Sequence, residues 1–343
     1  MHRITRILPA LALAGLWAMP CLACDVPVFR YALERWTPAV YELNVIAPQG
    51  NPANDTPPVN SLQSLLDSAN CALHYSGSGA SVSGGVIPRM ELAYRDWQGE
   101  KILIWSGRAS AENVEKLVDS PARREIAGKL LGGATAVWVF LEGEDRAKNE
   151  AALGRLETAL DQIERSLTLP ESVTRLQESM TGKLRVDFPV VKIQGSSEAE
   201  KILVDMLIRS EPDLESYRTE PMAFPVFGRG RVLYALAGDG IDSVNTAGAC
   251  VFLAGPCACE IKESNPGMDL LMRAGWASGI GESWVDASEN VSLSSLAALA
   301  GGRPDDNSGG KLFHGVVITL LTVLILVGAG SVVLLRKIRR RDR

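Results

Sequence analysis

Histidine is scarce in this sequence, which limits the chemistry it can support. The chain has three histidines in 343 residues, and His74 is the one that lies between the two hydrophobic ends. A Ser–His–Asp triad would have to use it, yet it sits in an apolar stretch, where a histidine is more often packed than catalytic. A Gly-x-Ser-x-Gly nucleophile elbow is also missing. Hydrolase chemistry therefore has no support.

The sequence also lacks a nucleotide-binding loop. The closest stretch is Gly228–Arg231 (Gly-Arg-Gly-Arg), which has neither the Gly-Lys-Ser/Thr of a P-loop nor the spacing of a dinucleotide fingerprint. Two glycines between apolar runs are typical of a tight turn, so we expect a hairpin here.

Positive charge is concentrated at the two ends. The chain carries −5 overall, and residues 1–23 contribute +2 and residues 336–343 contribute +5, which leaves −12 for residues 24–335. An acidic surface of this size disfavours nucleic acid and anionic lipid as partners of the central region.

The first residues have the layout of a secretory signal peptide. A basic start precedes the apolar stretch Ile7–Met19, and small residues follow up to Ala23. This pattern predicts export with cleavage after Ala23, the alternative being a retained signal anchor.

The other end predicts one transmembrane helix. Residues 312–335 contain no Asp, Glu, Lys or Arg, and 24 residues at 1.5 Å each give roughly 36 Å of helix, enough to cross a bilayer. The basic tail 336–343 follows at once, and basic segments stay in the cytoplasm. We therefore expect a single-pass protein of the inner (cytoplasmic) membrane that contacts the lipid bilayer through residues 312–335, with its large N-terminal region in the periplasm.

The number of cysteines is odd once the leader is removed. Cys24, Cys71, Cys250, Cys257 and Cys259 remain. An exported protein can form disulfides, so at least one thiol must be free, lipidated or paired between chains. Leu22-Ala23-Cys24 resembles the end of a bacterial lipobox, whose cysteine is acylated, although Cys21 stands where that motif prefers Leu.

Cys257 and Cys259 are the candidate catalytic residues. A bond between cysteines so close in sequence is strained and easily exchanged, and a thiol at a helix start has a lowered pKa. A metal site would need two more ligands at a suitable spacing, which the sequence does not offer, so neither metal nor cofactor is predicted. The structural alternative pairs Cys250 with Cys257 or Cys259, and Cys24 with Cys71.

Hydrophobic periodicity predicts an α/β fold. Residues 87–107 read as two strands joined at 97–99, and residues 134–141 and 248–255 as buried strands. Ser120-Pro121 predicts a capped helix start, and residues 148–167 predict an amphipathic helix. The predicted organisation is a signal peptide (1–23), a first α/β domain (24–180), a second, related α/β domain (181–277), a juxtamembrane linker (278–311), the transmembrane helix (312–335) and the tail (336–343).

Part of the first domain resembles the thioredoxin-like family. Pro88 opens a strand, Gly99 marks the hairpin turn, and Gly107 precedes the last helix, as in the C-terminal half of that fold. Cys24-Asp25-Val26-Pro27 before a predicted helix is similar to the family's Cys-x-x-Cys helix start, with Pro27 in place of the second cysteine. The resemblance implies two related thioredoxin-like units. The Cys-x-x-Cys pair on which the family's dithiol activity depends is incomplete here.

The stretches ACDVPVFRYALERW (23–36) and FPVFGRGRVLYAL (224–236) also resemble exported, membrane-anchored bacterial proteins, which implies no particular reaction. The sequence thus favours a membrane-tethered extracytoplasmic binding or accessory protein without its own catalysis, with another envelope protein as partner. The alternative is a thiol–disulfide exchange protein that uses Cys257 and Cys259.

Overall fold

The computed structural model describes residues 24–48, 59–78, 88–96, 99–177, 184–257, 267–281 and 283–288. The predicted leader, transmembrane helix and tail lie outside these residues, as does Cys259. No helix within the described part has both the length and the apolar character that a bilayer span requires. The described residues form an α/β unit built on two mixed sheets and a short two-stranded ladder.

The elements up to the first buried strand of the second sheet are, in chain order, β1 (Cys24–Pro27), α1 (Val28–Arg35), β2 (Tyr41–Pro48), α2 (Val59–Leu66), β3 (Cys71–Ser78), β4 (Arg89–Arg95), β5 (Lys101–Arg108), α3 (Ala111–Val118), α4 (Pro121–Leu131) and β6 (Val137–Glu142). The elements that follow are α5 (Arg146–Ser166), α6 (Glu171–Leu176), β7 (Val190–Gln194), α7 (Lys201–Ile208), β8 (Met222–Phe227), β9 (Arg231–Val232), β10 (Leu236–Ala237), α8 (Ser243–Ala254), β11 (Pro256–Cys257) and α9 (Trp276–Gly279).

The first sheet has the strand order β3-β2-β4-β5. β2 and β3 run parallel, whereas β4 is antiparallel to both β2 and β5, which confirms the predicted strand pair within 87–107. Along β2, Tyr41, Leu43 and Val45 are buried and the residues between them are not. This two-residue period is what a strand with one face on the core requires.

Two capped helices follow the first sheet. The side chain of Ser110 accepts a hydrogen bond from the backbone N–H of Asn113 at the start of α3. Ser120 caps α4 in the same way, and Pro121 occupies the first turn, as predicted. Proline fits there because the first N–H groups of a helix have no partner within the helix.

The second sheet has the order β7-β6-β8-β10, and β9 also pairs with β8. β6 is parallel to β7 and antiparallel to β8. It is buried on both faces: Val139 belongs to the core shared with the first sheet, and Trp138 to a second core beneath α5 and α8. The amphipathic helix predicted at 148–167 is confirmed as α5.

The prediction of a buried strand at 248–255 is wrong, because these residues lie in α8 and just beyond it. The apolar run has no visible period within eight residues, but the helix begins earlier. Asp242 caps it by accepting from the N–H of Asn245 at 2.8 Å. Counted from this cap, the buried residues Thr246, Ala249, Cys250 and Leu253 follow a helical spacing.

The predicted boundary at residue 180 does not coincide with the division between the sheets. β6 and α5, which the sequence placed in the first domain, belong to the second sheet and its core. Residues 283–288, which fall in the predicted linker, contact α1. The buried Glu34 carboxylate accepts from the N–H groups of Trp284 (3.0 Å) and Val285 (3.1 Å), which fastens residues 283–288 to α1.

Residues 267–274 connect the two sheets, and we call them the inter-sheet segment. On the second sheet, the N–H of Leu270 donates to the carbonyl of Gly230 at 2.9 Å. On the first, the N–H of Met272 donates to the side-chain oxygen of Asn70 at 2.9 Å. The buried pair Arg231–Asp269 (3.1 Å) adds a charged contact between this segment and β9. The inter-sheet segment therefore fixes the sheets to one another with both backbone and charged contacts.

Candidate functional site

The predicted cysteine site lies where the beginning of the described chain meets the end of α8. β1 and β11 form an antiparallel pair in which Cys24 and Cys257 are register partners. The N–H of Val28, the first residue of α1, donates to the carbonyl of Gly255 at 3.0 Å. The backbone thus brings together two cysteines that the sequence analysis had assigned to different candidates. Their register could not be read from the sequence, because it joins segments more than two hundred residues apart.

The thiols of Cys71 and Cys250 are free. The predicted pairings of Cys24 with Cys71 and of Cys250 with Cys257 or Cys259 are therefore not formed in the structure. Cys71 lies at the start of β3, and Cys250 is fully buried on α8. Burial raises the pKa of each thiol to about 12, because the thiolate would lose its hydration. Both are protonated at neutral pH, and since only the thiolate is a good nucleophile, neither is suited to exchange chemistry.

A cleft of about 560 Å³ lies near the carboxyl end of β6. It is lined by residues of α5, of the loop before β8 and of the turn before α8, among them Lys148, Arg155, Tyr217, Glu220 and Asp239. Cleft volumes of roughly 300–1,000 Å³ are typical of small-molecule sites. The cleft is therefore large enough for a small molecule.

The charged groups of the cleft are paired with one another. Lys148 Nζ lies 2.5 Å from Glu220 Oε1, and this hydrogen bond raises the pKa of the Lys148 ammonium. Arg155 lies 3.8 Å from the Asp239 carboxylate and also donates to the carbonyls of Ile241 (2.9 Å) and Gly238 (3.1 Å). A lysine whose pKa is raised stays protonated at neutral pH and cannot act as a base. The cleft thus offers shape and charge, with Lys148 held as a cation.

The turn after β6 approaches the backbone of the loop before β8 closely. The N–H of Glu144 donates to the carbonyl of Thr219 at 3.0 Å, and the side chain of Asn149 bonds both backbone groups of Gly143. A Cβ at Gly143 would lie 2.3 Å from the Thr219 oxygen, so glycine is required there. The turn after β6 is therefore locked to the loop before β8.

The exposed side of α8 is apolar, and the sequence analysis missed it. Val244, Val251 and Phe252 expose 77%, 50% and 36% of their surface, and Gly248 lies between them with open space where a Cβ would be. Positions 244, 248, 251 and 252 form one stripe of a helix. We call this stripe the α8 face. The signal that could have revealed this stripe is the N-cap at Asp242, because it marks the residue from which the helical spacing is counted.

No residue of α8 is charged. Single exposed apolar residues are normal on a protein surface, but a contiguous stripe on an uncharged helix is typical of an interaction site. The α8 face is therefore the strongest candidate binding surface in the described part of the chain.

Within the described ranges, no group of three or more His, Cys, Asp or Glu side chains is arranged to hold a metal ion. His74 is exposed on β3, at the edge of the first sheet. No protein-family model matches the chain, and the search of curated proteins finds no similar sequence. We therefore infer the function from the chemistry of the surface.

Proposed function

We propose that this protein is a membrane-tethered extracytoplasmic binding protein, and that the α8 face holds an apolar helix of another envelope protein. The observation that carries the proposal is the stripe of Val244, Val251 and Phe252 on a helix without charge. Gly248 in the middle of the stripe has no neighbour within 4 Å of its Cβ position. Small residues at a helix surface let a second helix approach closely, as in ridges-into-grooves packing.

The charge of the chain argues for a protein partner rather than a lipid surface. Helices that lie on membranes carry Lys and Arg beside their apolar face, whereas α8 carries none. The −12 charge of residues 24–335 would also oppose contact with anionic headgroups. A partner helix needs only apolar contact and close approach, and the α8 face offers both.

The order of elements supports the predicted pair of thioredoxin-like units. β2-α2-β3-β4-β5-α3 gives the sheet order β3-β2-β4-β5. β6-α5-β7-β8-β10-α8 gives β7-β6-β8-β10, with α6, α7 and β9 as additional elements. In each unit the second strand is parallel to the first and the third is antiparallel to it. The structure-based units would then begin near β2 and near β6.

This arrangement also favours binding over dithiol catalysis. The helix that follows the first strand is where the thioredoxin-like family carries its Cys-x-x-Cys motif. Residues 49–58, before α2, and residues 143–147, at the start of α5, contain no cysteine. Thiol–disulfide exchange through Cys257 and Cys259 stays the second candidate, but the register of Cys257 with Cys24 offers this cysteine another partner.

Matched charge substitutions test the proposed surface. Val251→Asp places a carboxylate in the α8 face, whereas Leu103→Asp does the same on β5 of the other sheet, where Leu103 is 46% exposed. The full chain is extracted in mild detergent, and the amount of envelope protein that co-purifies is measured. We expect this amount to fall at least 10-fold in Val251→Asp, because a central contact contributes more than about 1.4 kcal/mol to the binding free energy. Leu103→Asp should retain it. Equal retention by both variants would refute the α8 face as the binding surface.

A further inference from the structure

The ladder of β1 and β11 is too short to be stable by itself. β1 has four residues and β11 has two, and the register between them is irregular between Cys24 and Pro27. Isolated two-stranded ladders are at best marginally stable in water. Yet Val26 and Val28, which lie in and directly after β1, are buried in the second core. The ladder thus depends on this hydrophobic burial, and a covalent link between its strands would add to it.

The register supplies such a link. Residues that face each other directly across an antiparallel ladder have Cα atoms roughly 4.5–5.5 Å apart, and disulfides span Cα separations of roughly 4.4–6.8 Å. Cys24 and Cys257 are such a pair. Because Cys71 and Cys250 are free thiols, neither competes for Cys24 or Cys257.

We propose that Cys24 and Cys257 form a structural disulfide that fastens the N-terminus of the exported region to the end of α8. The proposal depends on the predicted export to an oxidising compartment and not on the proposed binding function. It assigns Cys257 a structural role, so that Cys257 is not the attacking thiol of an exchange site. It also excludes acylation of Cys24, because a thioether-linked lipid would occupy the same sulfur.

The oxidation needs an acceptor, which we identify by class as a protein disulfide of the envelope. One cysteine thiolate attacks a sulfur of the acceptor and forms a mixed disulfide, and the other thiolate then attacks the bonded cysteine sulfur. The Cys24–Cys257 bond forms and the acceptor bond breaks. Two electrons and two protons pass to the acceptor, which leaves as a dithiol.

The location explains why such a bond would matter. Positions 24 and 257 differ by 233 residues, and a cross-link across a long loop removes more entropy from the unfolded chain than one across a short loop. The ladder also lies directly after α8, whose outer face is the proposed binding surface. The disulfide would thus hold the C-terminal end of α8 against β1 and α1.

Peptide mapping of the full chain tests the proposal. The protein is expressed with its own leader in an envelope-containing host, its free thiols are blocked with an alkylating agent before lysis, and it is digested with trypsin without reductant. The predicted N-terminal peptide is Cys24–Arg30, and Cys250, Cys257 and Cys259 share the peptide 232–262. We expect these two peptides to be joined, and to separate on reduction.

Single substitutions then identify the bonded cysteine. Cys257→Ser should abolish the joined peptide, whereas Cys259→Ser and Cys250→Ser should retain it. A bond between Cys257 and Cys259, a lipid on Cys24, or alkylation of both Cys24 and Cys257 would each overturn the proposal.

Stability gives a second measurement that does not depend on mapping. Cys24→Ser, Cys257→Ser and the double variant should lower the melting temperature by the same amount, roughly 5–15 °C, because each removes the same bond. Additive losses in the double variant would contradict a shared disulfide.

Discussion

The carboxylate of Glu34 fastens the last described residues to the domain, and its removal should be strongly destabilising. It is only 3% exposed, and it accepts from the N–H groups of Trp284 and Val285 and from Ser283 Oγ at 2.8–3.1 Å. It also forms a 2.5 Å ion pair with Arg30. In Glu34→Ala, the backbone donors lose their acceptor and Arg30 loses this ion pair, although Arg30 keeps its bond to the carbonyl of Ile280.

The expected loss in the free energy of unfolding follows from the burial of the Glu34 carboxylate rather than from the number of its hydrogen bonds. Removing one partner of a buried ion pair costs about 3–5 kcal/mol, and here the donors of Ser283, Trp284 and Val285 lose their acceptor as well. For a domain of this size that corresponds to a fall in melting temperature of roughly 10 °C. Hydrogen exchange at residues 283–288 should rise together with this loss, because their backbone donors would be exposed.

A control in the same segment separates this effect from a general loss of charge. Asp286 pairs with Arg35 on the surface, where ion pairs contribute little, so Asp286→Ala should leave both measurements unchanged. The full chain in mild detergent would be unfolded by heat and followed by circular dichroism, with hydrogen exchange measured by mass spectrometry. A Glu34→Ala variant as stable as Asp286→Ala would refute the role of Glu34.

Two further predictions concern the backbone and the buried thiols. Gly230 has φ +95° and a Cβ there would lie 2.4 Å from Met272 Sδ, whereas Gly99 has φ +84° with nothing within 4 Å. Gly230→Ala should therefore lower the free energy of unfolding by roughly 2–4 kcal/mol and Gly99→Ala by about 1 kcal/mol. Equal losses of the two variants in urea denaturation would show that the inter-sheet segment does not approach Gly230 closely. Cys71 and Cys250 have an ordinary pKa of 9.0 that burial raises to about 12, so above pH 9 the unfolded chain binds fewer protons than the folded chain and stability falls as pH rises toward 12. Urea midpoints from pH 8 to 10.5 should fall less steeply in Cys71→Ala/Cys250→Ala than in the parent chain, and identical slopes would contradict the raised pKa values of these thiols.

The local elements were predictable wherever a period was long enough to read. α5 repeats its apolar positions over several turns, and the strands around Gly99 are joined by a short turn, so both could be predicted from nearby residues. α8 could not, because the apolar run at 248–255 covers about two turns and has no charged face to reveal a helical period. The capping residue Asp242, outside that run, held the missing information.

The arrangement of the elements could be predicted less well, because it depends on contacts between distant residues. β6 could not be assigned to a sheet from its own residues, since a strand buried on both faces has no distinguishing pattern. The inter-sheet segment has no regular secondary structure, and isolated bridges at Asp269 and Arg273 join it to the two sheets. The candidate site also combines a feature that the sequence predicts with one that depends on distant residues. The sequence singled out Cys257, but its register partner Cys24 appears only in the fold.

Photocrosslinking tests the binding surface most directly. A photoreactive amino acid would replace Val251 in the α8 face or Leu103 on β5, and intact cells would be irradiated before extraction. The account predicts a crosslink from position 251, but not from position 103, to a helix of a different envelope protein, and predicts that Phe252→Asp abolishes it. Crosslinks at both positions, crosslinks to lipid or to a second copy of this chain, or no crosslink at position 251 would contradict the proposed function.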